Sequence, residues 1–193
     1  NTRVEGRKAG KKSWEFHARY GWTEKKQELT HLTEVKAGKI FQDGRVTINN
    51  LTAPGARIWK STEVIEAFGS PEARRLTALI DLSRFGADPS RRSDWTALRA
   101  GYIKYTPSEK KSEMKDGVTL TKKGMTIFAN LINIDHDKKI ADLVDKIRVK
   151  RQDGTIIAAG GRYFGASEQL DVVGSAEIHL KSKQITTNIN CQQ

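Results

Sequence analysis

The sequence predicts an α+β fold: an antiparallel β-sheet with two or three inserted helices and a flexible basic N-terminal arm. Three observations lead there. Two Asp-Gly turns sit between strand-like runs, several segments carry apolar residues at helical spacing, and the opening dozen residues are almost devoid of apolar side chains. Residues 1–22 are read as the arm and 23–193 as a single α+β domain.

The arm, "NTRVEGRKAGKK", has five cations against one Glu and cannot bury enough surface to order itself. Trp14, Phe16, Tyr20 and Trp22 follow, with Arg19 among them. Such rings either stack on a ligand or a neighbouring subunit, or anchor the arm to its own core. "TEVKAGKIFQDGRVTINNL" is expected to form a hairpin around Asp43-Gly44, with Val35, Ile40, Val46 and Ile48 marking its strands. The period then changes. "STEVIEAFG" reads as a short helix capped by Ser61 or Thr62 and stopped at Gly69. "SPEARRLTALIDLSRFG" reads as a longer helix that starts at Ser70-Pro71-Glu72 and places Ala73, Leu76, Leu79 and Ile80 on one face.

"GADPSRRSD" is a loop exposing Arg91 and Arg92, and Tyr102 to Tyr105 alternate as a strand. "PSEKKSEMKDG" is expected to be a mobile surface loop. "VTLTKKGMTIFANLINI" supplies a core strand. "DHDKKIADLVDKI" reads as a short helix carrying Ile140, Leu143 and Val144, with Asp135 or Asp137 at its N-cap. A second hairpin turns at Asp153-Gly154. The closing "LDVVGSAEIHLKSK" alternates Ala176, Ile178 and Leu180 against Glu177, His179 and Lys181, as a half-buried strand does.

Charge is the strongest global signal. With 34 Lys+Arg against 23 Asp+Glu the chain carries +11, which favours a polyanionic partner held by salt-sensitive contacts. Lys8, Lys11 and Lys12 in the arm are candidate polyanion-binding residues, as are Lys146, Arg148, Lys150 and Arg151. The first three of that second group share one face if 146–151 is a strand, and the bland alternative is a solvated, Lys-protected edge. Cys191 is the single cysteine, so no intramolecular disulfide is possible and a reducing compartment is expected. No apolar run approaches the length of a membrane span. The chain opens at Asn1 without Met or an apolar leader and is expected to be a trimmed fragment.

Catalytic motifs are sparse. Glu34-Val35-Lys36 has the E-x-K spacing of some magnesium-dependent nucleases, in which the acid holds metal and the Lys stabilises phosphorane charge. No Asp precedes it, so Glu34 and Lys36 are more economically neighbours on a strand face. Asp135-His136-Asp137 suits a helix cap better than a metal site, and His17, His31 and His179 lack ligand spacing. Gly160-Gly161-Arg162 matches no phosphate-loop pattern and reads as a bulge or turn. No cofactor or metal is expected, and the protein is expected not to be an enzyme.

The order of elements resembles that of rhabdovirus matrix proteins: a basic arm, the strand "GRVTINNL", the helical "KSTEVIEAFG" and "PEARRLTALIDL", and an antiparallel remainder ending in "GSAEIHLKSK". The resemblance implies a self-associating structural protein of the virion and of host cytoplasm or nucleus. Its partners would be viral nucleoprotein or RNA and an anionic membrane surface, with a homo-oligomer as the working form. The alternative is a single-stranded RNA-binding capsid, nucleocapsid or movement protein, which would stack bases on Trp14 and Trp22. The nuclease built on Glu34 and Lys36 stands third.

Overall fold

A computed structural model of the chain describes residues 2–26, 28–69 and 75–181. Among these residues there is no α-helix, and the α+β expectation gives way to an all-β, jellyroll-like fold. The strands are β1 (Thr2–Lys8), β2 (Lys11–Ala18), β3 (Tyr20–Thr23), β4 (Leu29–Gln42) and β5 (Arg45–Trp59). Next come β6 (Ile65–Phe68), β7 (Leu76–Ile80), β8 (Thr96–Ala100), β9 (Tyr102–Thr106) and β10 (Lys111–Lys122). The last are β11 (Met125–Asp135), β12 (Ile140–Val144), β13 (Ile147–Lys150), β14 (Gly154–Phe164) and β15 (Gln169–Leu180). They form one 15-stranded sheet.

Long strands carry the sheet and short ones fork it. The Gly55–Ile58 stretch of β5 pairs with β6, while its Ile48–Thr52 stretch pairs with β7. The two branches rejoin on β10, through β9 at Lys111–Lys115 and through β8 at Thr119–Thr121. A second fork runs from β11 through β12 and β13 to β14. Register shifts sit at these forks, at Asn49/Thr52 of β5, Lys115/Val118 of β10 and Ala158/Gly160 of β14. Asn50, Asp116 and Gly117 have positive φ at the first two. Bulges of this kind bend a strand and sharpen its twist, which lets one sheet fold over its own apolar face.

The expected flexible arm is instead β1 and β2, a hairpin paired to β4, followed by β3 on the same strand. The expected helices are strands too. Ile65 and Ala67 of β6 are buried in alternation, as are Leu76, Ala78 and Ile80 of β7 and Ala141 and Leu143 of β12. The proposed helix start at Ser70-Pro71-Glu72 lies outside the described residues. Asp135 does accept a backbone bond from Lys138, at 3.0 Å. That bond closes the β11–β12 turn rather than capping a helix. Both Asp-Gly hairpins are present, joining β4 to β5 and β13 to β14. "VTLTKKGMTIFANLINI" is two strands turning at Lys123-Gly124, and the expected mobile loop at 107–117 contains the start of β10.

One apolar cluster runs from Phe16 to Tyr163 along the inner face. Within the shell of this core sits His136, 1% exposed. Its Nδ1 lies 3.2 Å from Thr47 Oγ1 and its Nε2 2.7 Å from Ser112 Oγ, so both ring nitrogens are satisfied. Burial, then the Lys139 charge, pushes its pKa down to about 3. Beside it Lys139 Nζ bonds Asp81 Oδ2 at 3.0 Å. This polar node ties β5, β10 and the β11–β12 turn together.

Candidate functional site

The inner face is sealed along most of the sheet and open at β15. Ile178 stands opposite Ile156, Ala176 opposite Ala158, Val172 opposite Gly161 and Leu170 opposite Tyr163. Directly paired residues share a face. Ala158 and Tyr163 are buried and Ile156 packs on the core, so the β15 partners also face the core side. Yet Ile178 is 62% exposed, Leu180 76% and Val172 39%. Glu177 and His179 occupy the opposite face and bond each other at 2.9 Å. The result is an apolar strip continuous with the interior. β15 hydrogen-bonds only to β14, so its other edge is unpaired among the described residues.

Two glycines of β14 allow β15 to lie so close. A Cβ at Gly154 would collide with the His179 carbonyl, and one at Gly161 would lie 2.7 Å from the Asp171 carbonyl. Tyr163, also on the inner face, has a buried hydroxyl without a hydrogen-bond partner among the described residues. Burial pushes its pKa up to about 12.

The residues singled out from sequence fall into separate places. Phe16 is fully buried in the core, and Trp14 packs on it at 5.6 Å between ring centroids. Tyr20 and Trp22 are exposed, with Trp22 stacked on His31 at 5.0 Å. The aromatic group is therefore divided between the two faces. Lys8 lies 3.6 Å from Glu63, and Lys12 lies 2.7 Å from Glu15 and 3.2 Å from Glu5. Those bonds raise the Lys12 pKa, Glu15 contributing most. Lys11 is exposed on β2. Arg148 and Lys150 project from β13 over the Phe128 ring, at 5.1 and 5.6 Å from its centroid. Lys146 lines the same groove as Arg148, whereas Arg151 faces Met125. β13, which carries Arg148 and Lys150, is interior to the sheet, flanked by β11 and β14.

Glu34 and Lys36 flank buried Val35 beside the β4 register shift at Val35/Gly38. Glu34 has φ 51° and accepts a bond from Arg19 Nη1 at 2.8 Å. Among the described residues no three His, Cys, Asp or Glu side chains gather in a group able to hold a metal. Gly160 and Gly161 lie at the β14 bulge. Ser112 and His136, though bonded, are both sealed in the core. Cys191 lies outside the described residues.

No family model and no curated protein matches the sequence. Among solved structures, the chain is similar to LptH of Pseudomonas aeruginosa, the LptA-homologous periplasmic component of the conserved lipopolysaccharide transport device. The TM-score is 0.52 at 16% identity, over 68% of this chain and 81% of that one. This fold overturns the rhabdovirus matrix resemblance, which required helices that the described residues do not form. The function drawn from it falls as well, along with the RNA-binding alternative. So do the viral nucleoprotein and RNA partners, and the virion, cytoplasm or nucleus. No helix among the described residues is long and apolar enough to cross a membrane. What the likeness establishes for this chain is the fold: a single antiparallel sheet, folded on itself, of the kind seen in LptH.

Proposed function

We propose that the chain is a non-enzymatic, periplasmic lipid-handling component of the lipopolysaccharide-transport type, and that the open inner face of β15 receives acyl chains. The observation that carries this reading is the exposure of Ile178 and Leu180 on the core side of the sheet. An isolated exposed leucine has no meaning, but an apolar strip continuous with a core marks a binding surface. Covering each of these two side chains with an acyl chain contributes roughly 1.5–3 kcal/mol. The fold shared with LptH supports the choice of lipid.

The test is lipopolysaccharide binding by the Ile178→Asp/Leu180→Asp variant. The reading expects binding to fall at least about tenfold, because two carboxylates would be desolvated under the acyl chains. Substituting Asp for His179, which faces the other way, should change binding less than about twofold. Equal loss from both faces would remove the acyl-chain assignment.

A further inference from the structure

The outer face holds a second feature, and it is electrostatic. Arg99 of β8, Thr119 of β10, Phe128 of β11 and Arg148 of β13 stand in consecutive register, forming one row across the sheet. Arg75 and Lys146 join them around a groove of about 830 Å³, and Asn130 lines it too. Among the described residues, no carboxylate lines that groove. Arg75 spends one N–H on the Gly117 carbonyl, at 2.6 Å, which fixes its guanidinium beside the row. Arg148 lies over Phe128, 5.1 Å from the ring centroid, which holds its N–H edge free for another acceptor.

Many cations elsewhere on the sheet are matched, although others among the described residues, such as Lys11, Lys104 and Arg92, stand singly on the surface. Arg3, Arg7, Lys12, Arg19, Lys139 and Arg162 each lie within 3.6 Å of a carboxylate. Arg75, Arg99, Lys146 and Arg148 have no such partner among the described residues. The nearest acid in the same register is Glu177, two strands past Arg148, and it is bonded to His179. Four like charges around one concavity repel one another, and a bound anion relieves that repulsion.

We infer that this groove is a site for a phosphorylated saccharide. Arginine presents paired N–H donors that match phosphate oxygens, and the chain places three around one groove. Phe128 and Ile157 offer an apolar floor for a sugar face, while Thr119 and Asn130 offer donors and acceptors for hydroxyls. The site lies on the opposite face of the sheet from the β15 strip, so it can be tested independently of acyl-chain binding. Phosphate could reach it as a soluble sugar phosphate or as the phosphorylated headgroup of a lipid.

The experiment titrates the whole chain with glucose bisphosphate, with glucose, and with lipopolysaccharide before and after phosphatase treatment. Three variants are compared: Arg99→Glu/Arg148→Glu, Lys25→Glu/Lys26→Glu, and Ile178→Asp/Leu180→Asp. The first two alter net charge equally, and Lys25 and Lys26 are exposed in the turn after β3. Phosphate-dependent binding should fall about tenfold or more in the arginine variant and less than about twofold in the lysine variant. The β15 variant should bind glucose bisphosphate as the parent does. Phosphate-dependent binding of glucose bisphosphate identifies a soluble source, and of lipopolysaccharide alone a headgroup source. Equal losses in the two charge variants would reduce the effect to bulk charge and overturn the site. Absence of any phosphate-dependent binding would overturn it as well. Thermal melting of each variant establishes that the compared chains are folded.

Discussion

The two ends of this sheet, the β1–β2 hairpin and β15, obey the same alternation and reach opposite outcomes. On β2, Phe16 points inward and is fully buried, filling the space beside Gly38 where a Cβ would lie 2.5 Å from its ring. On β15, Ile178 and Leu180 point to the same side of the sheet and stay exposed. The difference lies in what flanks each strand. β2 is paired on both edges, by β1 and β4, whereas β15 pairs with β14 and has no described strand beyond it. A strand's pattern determines which face is apolar, and tertiary completion determines whether that face is covered.

Breaking the sealed end should have the largest effect. Phe16→Ala is expected to cost about 3–5 kcal/mol, from lost burial and a residual cavity, measured by urea denaturation. Acid should weaken the core through His136, at the node of β5, β10 and the β11–β12 turn. An unfolded imidazole titrates near pH 6.5 and the folded one near 3, so below pH 6.5 only the unfolded chain takes up the proton. The stability this neutral, buried ring contributes is therefore complete above pH 6.5 and lost as pH falls toward 3. About 2 kcal/mol should be gone at pH 5, and His136→Gln should flatten that slope.

The open end should respond more gently. Gly154→Ala is expected to cost about 1–3 kcal/mol, because the new Cβ meets the His179 backbone carbonyl and displaces only the edge strand from its pairing with β14. Hydrogen exchange should accelerate along 176–180 and not along β2. Ile178→Ser should change stability by less than about 0.5 kcal/mol, since the side chain is already in water. A cost comparable to Phe16→Ala would mean that β15 is sealed, and would erase the contrast between the ends.

The turns of this fold were legible in its sequence, and much of the period between them was not. Asp43-Gly44 and Asp153-Gly154 carry their own conformational signal, with Asp43 at φ 52° and Gly44 at 81°. Leu76 and Ile80, four apart, satisfy a helical face and an alternating strand equally well. The structure settles that ambiguity through Ala78, which is buried between them in β7 as alternation requires. The same ambiguity misassigned 140–144, where Ala141 and Leu143 are the buried pair. The arm misled for another reason. Its charges are neutralised in part by Glu5 and Glu15 and need no apolar surface of their own, because β2 is held by Trp14 and Phe16.

The cationic side of the candidate sites was half visible. Arg148 and Lys150 share a face of β13, as alternation predicts, whereas Lys146 lies in the bend before that strand. Arg75, Arg99 and Phe128 did not follow from alternation, because cross-strand register brings Arg99 of β8 and Phe128 of β11 together, and a bond to the Gly117 carbonyl brings in Arg75 from just before β7. The exposed strip was hidden in plain alternation. Nothing local distinguishes Ile178 from Ile132, one open and the other sealed.

The central claim is that the inner face of β15 meets acyl chains, and a photo-crosslinking scan from 170 to 180 tests it directly. A benzophenone side chain placed at each position in turn, with lipopolysaccharide present, should give adducts at 172, 176, 178 and 180. Positions 171, 177 and 179, on the outer face, should give few. Uniform adducts along β15, or adducts concentrated at 177 and 179, would contradict the account.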